Sequence, residues 1–155
     1  MTTQIRNSVF ETNSSSSHSI SVTGNTKLNI PDLSYDIECQ FGEFGWGYEE
    51  LTHWMEKLSY VMTSIQYFCE GELKPEEFQN TKWFLWLNEM FQEFTGYNII
   101  PVFDSSEWYK MGYVDHQSTD LLSEYFIDDK NVLKFVVKDL IFNSKYEIII
   151  DNDNN

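Results

Sequence analysis

Basic residues are what this sequence is shortest of: its 155 residues hold 10 Lys and Arg against 25 Asp and Glu, a formal net charge of −15. A surface this negative repels phosphate backbones instead of releasing their counterions, which disfavours direct binding to nucleic acid. Cysteine is nearly missing as well. Cys39 and Cys69 form neither a CxxC pair nor an even ladder of spacings, so a disulfide framework and a zinc knuckle both lack their ligands. No apolar run approaches the roughly 20 residues that cross a bilayer, and residues 1–10 lack the apolar stretch of a secretion signal. The expectation is a protein of the cytosol with no membrane contact. G-x-S-x-G, the P-loop, G-x-G-x-x-G and H-E-x-x-H are all absent, which removes the usual warrant for hydrolase, NTPase, dinucleotide-binding and zinc-protease readings. The residues point away from an enzyme and require no cofactor or metal.

Aromatic side chains are abundant: 5 Trp, 9 Tyr and 12 Phe, in a chain that is 41% hydrophobic, supply ample material to offset the entropy of ordering the backbone. The length suits one domain over residues 1–155, with 151–155 as a flexible tail. There is no repeat or linker.

Residues 4–10 read as a strand, 11–17 as a polar loop and 18–23 as a second strand with alternating Ile20 and Val22; 27–30, ended by Pro31, and 37–44 read as two more. From 49 to 69, Leu51, Trp54, Met55, Leu58, Val61, Met62, Ile65, Phe68 and Cys69 recur at helical spacing and predict one long buried stripe. Pro75, followed by Glu76 and Glu77, opens a second helix to about residue 95, in which 83–87 is apolar nearly all round and reads as core. Residues 97–103, interrupted by Pro101, predict a strand near an edge, and 108–114 another. Ser118-Thr119-Asp120 and Asp128-Asp129 each place capping side chains before a helix, the second running over 130–142. A final strand over 146–150 is apolar without a break, which predicts an interior place in its sheet. The sum is an α+β fold: a mixed or antiparallel sheet packed against two long amphipathic helices and two shorter C-terminal ones.

Chemistry concentrates in three polar segments. After Val9 and Phe10 the chain opens into polar residues that include Asn13, Ser14, Ser15, Ser16, Ser17 and His18. Successive amides and hydroxyls there would line an anion or sugar pocket, with His18 titrating near neutrality; as a structure alone, the segment is a wide turn capping its own backbone. Asp115, His116 and Ser118 form the second group. Adjacent strand residues face opposite sides, so Asp115 and His116 share a pocket only if the backbone turns between them, and Ser118 is equally a helix cap. The third, residues 151–155, has the alternating Asp and Asn of half a calcium loop but neither its glycine nor its distal glutamate, and reads as a solvated tail.

The stretch Arg6-Asn7-Ser8-Val9-Phe10-Glu11-Thr12-Asn13-Ser14-Ser15-Ser16-Ser17-His18-Ser19 resembles the opening of a family of small uncharacterised proteins from tailed bacteriophages and bacterial mobile elements. Asp115-His116-Gln117-Ser118, and Asn143 and Ser144 through Asp151-Asn152-Asp153-Asn154, look like that family's later patches, while the middle of the chain is similar only in general character. The resemblance implies an origin and carries no activity with it. It also implies that the three polar segments belong together.

Charge and implied origin lead to one expectation: a phage-encoded, acidic binding protein of the bacterial cytosol that inhibits a host or anti-phage defence protein with a basic surface. Glu49, Glu50 and Glu56, read as lying on the first helix, and Glu76, Glu77, Glu89 and Glu93, on the second, are its candidate contacts. The alternative is a small-molecule site for a nucleotide or phosphorylated ligand, built from residues 13–18 with Asp115, His116 and Ser118, where either histidine would serve as acid or base.

Overall fold

The long apolar stripe folds as α1, Trp54–Phe68, and it is enclosed on every side: residues 57–66 are all buried except the half-buried Ser59. A helix buried all round is central to its domain, and here it carries Lys57, Thr63, Ser64 and Gln66 inward along with its apolar residues. The computed structural model that defines this arrangement describes residues 2–6, 16–23, 28–68, 73–103, 113–114 and 129–152.

The described residues hold eight strands: β1 Thr2–Arg6, β2 Ser16–Thr23, β3 Ile37–Gln40, β4 Glu43–Phe44, β5 Glu49–Leu51, β6 Ile99–Val102, β7 Tyr113–Val114 and β8 Tyr146–Asn152. Four of them form an antiparallel sheet in the order β1-β2-β8-β5. The apolar β8 takes the interior position that its sequence predicts, with Ile148 and Ile150 fully buried. Two small parallel pairs, β3 with β6 and β4 with β7, complete an α+β fold. No helix among the described residues is long and apolar enough to cross a membrane.

Several boundaries differ from the sequence reading. Residues 49–51 are not the first turn of a helix. They are β5, paired with Ile148 to Ile150, because the helix is stopped two residues later by a reciprocal cap. His53 Nδ1 accepts from Met55 N (3.2 Å), and Glu56 Oε2 accepts from His53 N and Thr52 N (3.3 Å each). Glu49 and Glu50 therefore stand on a strand, and only Glu56 is on α1.

The second predicted helix is two. Pro75–Gln79 is α2 and Lys82–Thr95 is α3; between them Thr81 Oγ1 accepts from Phe84 N (3.2 Å) as the α3 cap and donates to Phe78 O (2.8 Å). Gly96 ends α3 at φ +82, the left-handed conformation that costs glycine least. Residues 37–44 are likewise two strands with different partners. Gly42 turns the chain between them, and a Cβ there would come within 2.7 Å of the Phe44 ring. The expected strand at 27–30 reduces to one bridge, Leu28 to Asn143.

Near the C-terminal end, Asp129 Oδ1 accepts from Asn131 N (2.9 Å) and opens α4, Lys130–Phe135, which widens into a π-helix over Val136–Ile141. That widening puts Val137 into the core beside Leu133, Leu140 and Ile141. β8 runs two residues past the expected end, so Asp151 and Asn152 are strand and not tail.

An acidic cleft between two strand edges

β3 alternates inward and outward, burying Ile37 and Cys39 and exposing Glu38 and Gln40. One edge of this strand pairs with β6, and its far end is pinned to α1: Ser59 Oγ donates to Gln40 O (2.6 Å), and Gly42 N donates to Thr63 Oγ1 (2.9 Å). β5 is the end strand of the four-stranded sheet, with β8 on its one paired side. Between β3 and β5 lies a cleft of about 710 Å3, with Phe44, Leu51 and Met55 as its apolar surface. Every charged residue of its lining is acidic, Glu38, Glu49, Glu50 and Glu56, and Gln40 and Ser59 are its neutral polar residues. The volume is in the usual range for a binding pocket, and an apolar surface with a few convergent charges is what such pockets are made of.

The four carboxylates are not equivalent. Glu56 is engaged in the α1 cap, and Glu50 Oε1 accepts from the Tyr48 hydroxyl, which holds the phenol pKa above its ordinary value. Glu38 is exposed at the β3 edge. Glu49 is the anomaly. In the β5–β8 register it stands opposite Ile150, which puts it on the sheet face where Leu51, Ile148 and Ile150 are buried. Its Oε2 is shielded from solvent and accepts no hydrogen bond, and this burial raises its pKa. A carboxylate left so is costly unless a cation comes to it. Cys39 also reaches the cleft, but burial pushes its thiol up to about 12, so it is no nucleophile. Among the described residues no group of three or more His, Cys, Asp or Glu side chains is spaced to hold a metal ion.

The other expected acidic contacts lie elsewhere and are partly occupied. Glu89 and Glu93 on α3 pair with Lys130 (2.9 Å) and Lys134 (3.1 Å) on α4. Glu77 Oε2 accepts from Lys74 N (3.0 Å) at the start of α2, where Glu76 is exposed. Of the expected acidic set, Glu49, Glu50 and Glu56 line the cleft, and Glu38, which is not in that set, lines it with them. Its signal was the single acid between two apolar residues in Ile37-Glu38-Cys39.

Of the alternative ligand set, Asn13, Ser14, Ser15, Asp115, His116 and Ser118 lie outside the described residues. Ser16, Ser17 and His18 belong to β2, where they stand opposite Asn152, Asp151 and Ile150. Ser16 and Ser17 of the first polar segment therefore meet Asn152 and Asp151 of the third by strand pairing at one end of the sheet. No protein-family model, curated protein or solved structure matches the chain.

Proposed function

We propose that this chain is a phage-encoded, acidic binding protein of the bacterial cytosol that inhibits a host or anti-phage defence protein by occupying a basic surface on it, its carboxylates standing where nucleic-acid phosphates would. One observation carries the reading: in a chain of net charge −15, four glutamates converge on a single cleft and one of them, Glu49, has a shielded oxygen without a partner. A basic surface is drawn to such a field at long range and supplies the missing cation at contact.

Affinity capture from a bacterial lysate tests it, comparing the wild-type chain with a Glu38→Gln/Glu49→Gln/Glu50→Gln variant at about 50 mM and about 500 mM salt. The expected result is a basic, nucleic-acid-binding protein retained by the wild type alone, lost at high salt and displaced by duplex DNA. Identical capture by both proteins, or tight binding of oligonucleotides by the chain itself at physiological ionic strength, would overturn the reading.

A further inference from the structure

The cleft has a shape as well as a charge. It is bounded on two sides by strands, and among the described residues β3 pairs only with β6 and β5 only with β8. Among the described residues the second edge of each strand has no strand partner, although Gln40 O of β3 already accepts from Ser59, so an added chain would find its open edge along β5 and at Glu38. A strand in a packed sheet fills about 4.8 Å by 10 Å by 3.3 Å per residue, or roughly 160 Å3. A cleft of about 710 Å3 therefore takes about four residues of extended chain, matching the four of β3 and the three of β5.

We infer that the cleft is a β-augmentation site, in which an extended segment of the basic partner adds as a strand beside β5 and places a lysine or arginine against Glu49. This rests on the proposed function and names its mode of contact. Exposed strand edges invite indiscriminate pairing, and an inward-pointing charge is one device that blocks it. Glu49 is such a charge. An apolar or acidic strand added to β5 would bury its carboxylate without compensation, whereas one bearing a cation at the facing position neutralises it. The same residue thus rejects most strands and accepts one kind. Main-chain hydrogen bonds would provide the general affinity of the site, and Glu49, with Glu38 across the cleft, its preference for basic sequences.

The probe is a blocked, fluorescently labelled hexapeptide alternating valine with lysine, titrated into the full chain and read by anisotropy. Three comparisons decide the matter. A valine–glutamate peptide is expected not to bind; N-methylation of alternate amides on one edge of the lysine peptide is expected to weaken it at least about tenfold, through lost strand pairing. Glu49→Gln, a near-isosteric change that removes a half-buried charge without enlarging the side chain, is expected to weaken binding by about tenfold, and Glu89→Gln on α3 to leave it within about twofold. If the lysine peptide binds with steep salt dependence yet ignores both N-methylation and Glu49→Gln, strand addition is overturned while the acidic-surface reading stands. If it fails to bind and the lysate capture also yields no basic protein, both fall. A chain that dimerises through β5 in sedimentation, with Glu49 buried against its copy, would equally overturn the proposal.

Discussion

Lys57 offers the sharpest test of the fold, because a lysine buried in the first turn of the central helix must answer for its charge. Its side chain is 1% exposed and its Nζ donates to Tyr146 O (2.9 Å) and Asn143 O (3.3 Å), tying α1 to the turn before β8. Burial lowers its pKa from 10.5 to about 8, with Glu147 opposing that shift. At neutral pH the amine is still charged, and holding it so costs the folded state about 3 kcal/mol relative to the unfolded chain. Between the folded and the unfolded pKa the unfolded chain binds more protons, so raising the pH through this window stabilises the fold. From about pH 7 to about pH 9.5 the gain is roughly 2 kcal/mol, or about 5 °C in Tm for a domain of this size. Tyrosines and other lysines titrate there too, so the measurement is a difference. Lys57→Met removes the amine but leaves two carbonyls short of a donor, at about 1–3 kcal/mol each, so the variant lies near or below the wild type at neutral pH. Urea denaturation of both proteins across this range should show the wild type gaining on the variant as pH rises. Parallel stability curves would refute the placement of a charged Lys57 in the core.

Three further outcomes follow from single contacts. Thr81→Ala removes the α3 cap and the bond to Phe78 O, and should cost about 1–2 kcal/mol in chemical denaturation. The Lys130–Glu89 pair is about half exposed on both sides, so a double-mutant cycle should return no more than about 1 kcal/mol; a larger coupling would mean that α3 and α4 hold together by charge and not by the packing beneath. In a Cys69→Ser background, the Cys39 thiol should react with a thiol reagent about a thousandfold more slowly than free cysteine until urea unfolds the chain, since burial leaves almost no thiolate at neutral pH. Fast labelling of the native protein would show that the floor of the cleft is open to solvent.

The sequence made legible whatever depends on long periodicity. The stripe that became α1 and the continuous apolar run that became β8 both announced their burial, since each needs apolar residues at every inward position. Breaks set by one side chain were harder to see. His53 is not a usual cap, so its pairing with Glu56 leaves no mark in the sequence and β5 reads as helix; Thr81 interrupts an apolar period that otherwise carries straight through to α3. The candidate site suffered most from this. Reading Glu49 and Glu50 as helical put them on a solvated face with Glu56, and only the β5–β8 register reveals that Glu49 points the other way, into the sheet's buried side. Glu38 joins them through parallel pairing of β3 with a strand some sixty residues later, Ile37 standing opposite Ile99, a contact that no local pattern encodes.

Hydrogen–deuterium exchange of the chain with and without the valine–lysine hexapeptide addresses the central claim most directly, because it reports where backbone amides acquire partners. Slowed exchange concentrated in Ile37–Gln40 and Glu49–Leu51, and lost with Glu49→Gln, is the expected result. Protection spread over α2 and α3, or no change at the two strand edges while the peptide is bound, would contradict it.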